Sequence, residues 1–313
     1  MRQLLLILIF ILAVAFSGCM ELQVQQPNAK ELVASMIKNV DNLSSYNVTT
    51  LRNQTEITDE FSTNTSHTNA TIHTISSEVT TSIDLAGHRL KEDLVTNTHT
   101  TNQSGVLTNT SSNETRYDMG NITYARINGE NWTQSKDPTP DRELWASNRY
   151  NTINDWAESI NQSQAEILGT EKLDGVDSYK LRMTIDNATY THMLFDAVGL
   201  VILPFVANPN STWIASNSSI DTILWIDRES HLLRRVEYHL NISAIPDIIG
   251  LSDKSSGQTI LFNQSIKQFI KPIKISIDYT FIEHYYDFNR PMNIVPPKEA
   301  LNATLVDSDT TQE

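Results

Sequence analysis

Between residues 273 and 281, Ile273, Ile275, Ile277, Tyr279 and Phe281 alternate with Lys274, Ser276, Asp278 and Thr280. Successive side chains of a strand point to opposite faces, so a period of two separates an apolar side from a polar one. The pattern returns at 178–186, where Tyr179, Leu181, Met183 and Ile185 oppose Lys180, Arg182, Thr184 and Asp186. It returns again at 233–242, where Leu233, Val236, Tyr238 and Leu240 oppose Arg235, Glu237, His239 and Asn241, although Leu233 breaks strict alternation. Such segments predict an antiparallel sheet with one face covered and the other in water.

Residues Asn28 to Leu43 supply a cover. Asn28 can cap a helix, Glu31 follows three residues later, and Leu32, Val33, Met36, Ile37, Val40 and Leu43 form one apolar stripe. From Tyr46 to Thr115 the chain is rich in Thr, Ser, Asn and Val, which predicts strands, with hairpin turns at 63–66 and 110–113. Residues 119–134 read as two strands around a turn at Asn128-Gly129. Residues 138–168 read as helical, and the apolar run from Met193 to Val206 as a buried helix or plug. A second hairpin turns near Arg228–Ser230.

The chain's single cysteine, Cys19, follows Arg2 and an apolar run from Leu4 to Phe16. A charged start, an apolar centre and small residues at the exit predict a secretory signal peptide over 1–18. Phe16-Ser17-Gly18-Cys19 resembles a lipobox, which makes Cys19 the candidate lipidation site. Ordinary secretion and an uncleaved anchor are the alternatives. With a lipid on Cys19, residues 19–27 form a tether of at most about 30 Å, and the protein sits on the extracellular face of the cell membrane. One cysteine leaves no disulfide to stabilise an exported domain, which therefore needs a core.

Asn-x-Ser/Thr occurs at 17 of the 27 asparagines, whereas the Ser and Thr content predicts about five by chance. The N-glycosylation candidates are Asn42, Asn47, Asn53, Asn64, Asn69, Asn102, Asn109, Asn113, Asn121, Asn161, Asn187, Asn210, Asn217, Asn241, Asn263 and Asn302; Asn131 is set aside because Trp132 is a bulky middle residue. Asn241 falls on the charged side of its strand, where a glycan has to sit. A lipobox together with dense sequons fits an archaeal cell-surface protein.

A net charge of −14 and the lack of a basic patch argue against nucleic acid as a partner. Ser35-Met36-Ile37-Lys38 has Ser-x-x-Lys spacing but none of the companion elements of penicillin-binding enzymes. The histidines lack ligand spacing, and Glu283-His284 reads as a surface pair rather than a metal site. No catalytic residues, metal site or cofactor are expected, and no protein partner is identified.

Several stretches in order carry a resemblance. They are Leu43-Ser44-Ser45-Tyr46, the run from Tyr124 to Trp132, the run from Gly169 to Leu181, Leu224-Trp225-Ile226-Asp227, Leu233-Arg234-Arg235, Tyr286-Asp287-Phe288-Asn289 and the run from Ile294 to Ala300. Together they are similar to the LolA-like and LppX/LprG-like lipoprotein carriers, over roughly residues 30–300. The resemblance implies an α+β fold across 28–305, a strongly curved antiparallel half-barrel sheet with helices packed on the concave face, followed by an acidic tail over 306–313. It also implies a lipid or other apolar ligand between sheet and helices, in a carrier or sensor. Met36, Val40, Tyr179, Leu181, Met183, Leu200, Tyr238, Ile277 and Tyr279 are the candidate lining. A structural or interaction protein of the envelope, with the same fold and a closed core, is the competing expectation.

Overall fold

The structure, a computed structural model, describes residues 27–60, 69–101, 105, 107–146, 150–184, 218–244 and 273–305. It opens with helix α1, Ala29–Val40. The Asn28 side chain accepts from the Glu31 backbone N–H at 2.9 Å, and Lys38 in the last turn complements the helix dipole. Leu32, Val33, Met36 and Val40 are its buried stripe. The helix stops at Val40 because Asp41 and Asn42 turn the chain, and the Leu43 N–H bonds the Val40 carbonyl at 3.0 Å.

A meander follows: β1 Ser45–Glu60, β2 Asn69–Asp84, β3 Arg89–Thr101, β4 Leu107–Met119, β5 Ile122–Ile127 and β6 Thr133–Lys136. Two short helices come next, α2 Asp141–Ala146 and α3 Thr152–Gln162. The second half runs β7 Gln164–Leu173, β8 Val176–Thr184, β9 Ser218–Asp227, β10 Leu233–Ala244 and β11 Ile273–Tyr286, then α4 Lys298–Leu301 and β12 Thr304–Leu305. The strands form one 12-stranded sheet in the order β12-β6-β5-β4-β3-β2-β1-β11-β10-β9-β8-β7. All pairings are antiparallel except β12 with β6. The first strand and the last long one pair from Asn47↔Tyr286 to Glu60↔Ile273, so the two halves of the chain meet mid-sheet.

Register fixes the faces. Val48 lies opposite Tyr285, Val236 opposite Leu224, and Leu224 opposite Leu181. On this side they join Leu32 and Met36 of α1 and Ile153 and Ile160 of α3 in one hydrophobic core. Helices α1, α2 and α3 therefore pack on a single face, here called the helix face; Ala300 of α4 is buried outside this core, next to β5. The sheet is not flat. Asp174, in the β7–β8 turn, reaches His284 of β11 at 2.9 Å. Three strand spacings separate β8 from β11, about 14 Å in a flat sheet, so twist must bring the hairpin across.

Three expectations are corrected. Residues 138–168 are not helical throughout: α3 ends at Gln162, Ser163 is extended, and Gln164 to Leu168 belong to β7. Ala165 and Ile167 pair there with Met183 and Leu181, so tertiary pairing overrides the helical pattern. Residues 110–113 are not a turn but the middle of β4, with Asn113 opposite Val95. The turn at Asn128-Gly129 exists, with φ of 50° and 72°, but β5 and β6 begin pairing only at Ala125↔Thr133. The irregularity at Leu233 is a β-bulge between Leu233 and Arg235, which lets both Leu233 and Val236 face the core. The turn at 63–66, the run Met193–Val206, the signal and tether over 1–26 and the tail lie outside the described residues.

Candidate ligand face

Moving along the strands away from the helix core, the helix face changes character. Glu283 is next on β11, two residues from Tyr285, and contrary to the sequence reading it is not at the surface: it is buried. The Trp156 indole N–H and the Tyr285 hydroxyl both donate to its Oε2 at 2.6 Å, and the Thr50 hydroxyl donates to Oε1 at 3.3 Å. Burial pushes the Glu283 carboxyl above its ordinary range, although these donors and the nearby Arg52 pull the other way. Burial likewise raises the Tyr46 and Tyr285 hydroxyls, and the Glu283 charge adds to both. Trp156 sits on α3, whose first residue Thr152 is within 3.5 Å of the same two hydroxyls. These contacts pin α3 to the centre of the sheet.

Beyond Glu283 comes an aromatic patch. Tyr238 stacks on Phe281 with centroids 4.8 Å apart, and Tyr279 lies 5.8 Å from Tyr238. The Trp156 ring tilts over both Tyr238 and Phe281, at 6.2 and 6.3 Å. Leu240, Ile242 and Ile277 continue the patch and are buried. The same face changes abruptly across the β11–β1 pairing. Phe281 lies opposite Arg52, Tyr279 opposite Gln54 and Ile277 opposite Glu56. Farther out the face is mixed: Ser77 and Thr96 lie on one row and His73 and Thr100, 3.0 Å apart, on another, but Ile75 lies on the row between them and Val79 and Leu94 on the row toward the core. An aliphatic and aromatic strip on β10–β11 thus adjoins a polar strip on β1.

One row, Met183–Thr222–Tyr238–Phe281–Arg52, crosses this face from β8 to the boundary. Within it the Thr222 hydroxyl is fully buried and, among the described residues, has no hydrogen-bond partner. A hydroxyl held among apolar groups without a partner is a costly exception in folded proteins.

The expected lining therefore divides. Met36, Val40, Tyr179, Leu181 and Met183 are buried in the helix core. Tyr238, Ile277 and Tyr279 lie together in the patch beyond Glu283, and Leu200 is outside the described residues. Sequence reasoning missed Glu283, Trp156 and Thr222 as parts of this face; it placed Phe281 on the apolar side of its strand without counting it in the lining. Parity would have found Glu283, since it shares the odd-numbered side of β11 with Ile277, Tyr279 and Phe281.

Among the described residues no group of three metal-ligating side chains converges, and no helix is long and apolar enough to cross a membrane. The sequons with described side chains are exposed or half-buried. Cys19, Asn64, Asn102, Asn187, Asn210, Asn217 and Asn263 lie outside the described residues.

No family model matches this chain, and no curated protein matches it. Solved structures with a similar outline include the Mycobacterium tuberculosis lipoprotein LppX, 13% identical, covering 85% of this chain and 97% of its own, with a TM-score of 0.35. LprF from Mycobacterium bovis is 15% identical over 87% of this chain and 97% of its own, at 0.38. The Pseudomonas aeruginosa MucA/MucB complex is 11% identical over 88% of this chain and 61% of the matched chain, at 0.27. Likeness at this level does not fix a function.

Proposed function

We propose that this protein is an exported, lipid-anchored and N-glycosylated envelope protein that binds an amphipathic, lipid-like ligand on the helix face of its sheet. The observation that carries the reading is the sharp boundary between β11 and β1, with Phe281, Tyr279 and Ile277 on one side and Arg52, Gln54 and Glu56 on the other. Acyl chains would lie over β10–β11; since Tyr238, Leu240, Ile277 and Phe281 are already buried, the gain would come from the chains' own apolar surface, roughly 25 cal/mol for each Å² removed from water. The polar end of the ligand would turn toward Arg52, Gln54 and Glu56 of β1. The orphan Thr222 hydroxyl gives the apolar strip one hydrogen-bonding group. The reading takes the sheet to be curved, closing around the ligand as a half-barrel.

The anchor rests on the apolar run ahead of Cys19 and places the protein on the outer face of the cell membrane. A lipobox with dense sequons supports an archaeal envelope. No residue is assigned a catalytic role; the chemistry of the face suits binding by a carrier or a sensor.

Titration with a fluorescent acyl probe tests the binding. Probe fluorescence should rise to one-to-one saturation on the purified protein and should fail to do so with Leu240→Asp, while His239→Asp, on the opposite face, should leave it intact. Equal binding by both variants, or none by the unaltered protein, would overturn the reading.

A further inference from the structure

Among the described residues, five of the six sequons in strands fall on one face; the sixth, Asn69 at the start of β2, pairs with Glu60 and so falls by register on the helix face. Asn47 and Asn53 on β1, Asn109 and Asn113 on β4, and Asn241 on β10 all fall on the face away from α1, α2 and α3. On β1, the helix face carries the even-numbered residues from Tyr46 to Glu56, while Asn47 and Asn53 are odd. On β4, Thr108, Thr110 and Ser112 take the helix face, and Asn109 and Asn113 the other. Both faces of β4 are polar along this stretch, so a general preference of polar residues for water does not explain the bias.

Extended backbone adds a second feature. Residues i and i+2 of a strand point the same way, so each asparagine and the hydroxyl of its own sequon face outward together, as Asn53 with Thr55, Asn109 with Ser111 and Asn113 with Thr115. Asn53, Asn109, Asn113 and Asn241 are exposed. Asn109 and Asn241 occupy one transverse row, through His99, Thr74, Thr55 and Asp278, five strand spacings or about 24 Å apart. That spacing gives each bulky glycan its own ground.

Other sequons are presented differently. The Asn121 amide is half-buried and donates to the Asp137 carbonyl at 3.1 Å, and the Asn42 amide donates to the Lys38 carbonyl at 2.9 Å. A glycan on either nitrogen would compete with a bond the fold already makes.

We infer that the face opposite α1, α2 and α3 is the glycan-bearing face, modified at Asn53, Asn109, Asn113 and Asn241, with Asn42 and Asn121 left unmodified. The inference rests on the proposed export. It assigns the two sides of the sheet opposite roles: sugars sheathe one, and ligand approaches the other.

Glycopeptide mass spectrometry on protein taken from the membranes of the source organism tests this, together with the N-terminal peptide of the same sample. Glycans at the four strand sites, and bare peptides at Asn42 and Asn121, are the expected result. Equal occupancy at Asn121 and Asn42, or bare peptides at the four strand sites with a processed N-terminus at Cys19, would overturn the face assignment alone. Bare peptides throughout with residues 1–18 still attached would overturn it together with export. A gel series provides a second readout: each of Asn53→Gln, Asn109→Gln, Asn113→Gln and Asn241→Gln should raise mobility by one step, and Asn121→Gln by none.

Discussion

The Trp156 indole nitrogen lies 2.6 Å from a Glu283 carboxylate oxygen that also accepts from the Tyr285 hydroxyl. One buried acid thereby ties α3 to the central strand of the sheet, at the line where the packed helix core gives way to the aromatic strip. Glu283→Ala leaves those two donors and the Thr50 hydroxyl without their acceptor, and it should lower stability by about 3 kcal/mol. Glu283→Gln keeps an acceptor oxygen and should cost roughly half as much. Urea midpoints at constant slope report both.

Stability should depend on pH in a way that identifies this acid. Burial raises the folded-state value of Glu283 above the 4.5 of a free side chain. The folded protein then holds the proton to higher pH than the unfolded chain does. The resulting stabilisation is complete below the unfolded value and is lost as pH rises through the folded one. Glu92, also raised by burial, has the same sign. Asp227 has the opposite sign: burial alone would raise it, but Arg234 and the backbone N–H groups of Ser230 and Glu229 hold it below its ordinary range. Its contribution is lost as pH falls through that lowered value. Subtracting the Glu283→Gln profile from that of the unaltered protein should leave a difference that declines with rising pH above 4.5.

Thr222→Val removes the orphan hydroxyl at nearly constant shape. Without ligand, the variant should be as stable as the unaltered protein or about 1 kcal/mol more so, because a buried unpaired polar atom is gone. If the hydroxyl meets the ligand, acyl-probe affinity should drop by about fivefold, the worth of one hydrogen bond. Thermal melts and probe titrations on the same samples separate the two effects.

Cys19→Ser should abolish lipidation and move the protein from the membrane fraction into solution. Retention in the membrane with residues 1–18 intact would instead identify an uncleaved anchor. Fractionation followed by N-terminal sequencing distinguishes the outcomes.

Period-two alternation makes β8, β10 and β11 legible in the amino-acid sequence, because one covered face forces apolar groups into every second position. Helix α1 is legible from its cap and stripe. The stretch divided between α3 and β7 is not, since Ile160 and Ile167 both fit a helical face and only pairing with β8 decides the second as strand. The Asp174-Gly175 turn, with φ of 50° and 83°, carries the hairpin dipeptide in plain view. At the site, Tyr238, Ile277 and Tyr279 follow from alternation; Glu283 has the same parity, but its charge points away from a buried position. Three donors gathered from β1, α3 and β11 make its burial tolerable, and nothing local in the chain announces them.

Native mass spectrometry of the protein, drawn gently from its source cells, tests most directly whether an amphipathic molecule occupies the strip beside Tyr238 and Phe281. A complex one lipid-sized mass above the glycosylated and lipidated chain, which organic solvent strips away and Leu240→Asp lacks, is the predicted result. A chain that flies bare, with no extractable lipid and an unchanged melting temperature after solvent treatment, would contradict it and leave a closed-core envelope protein in its place.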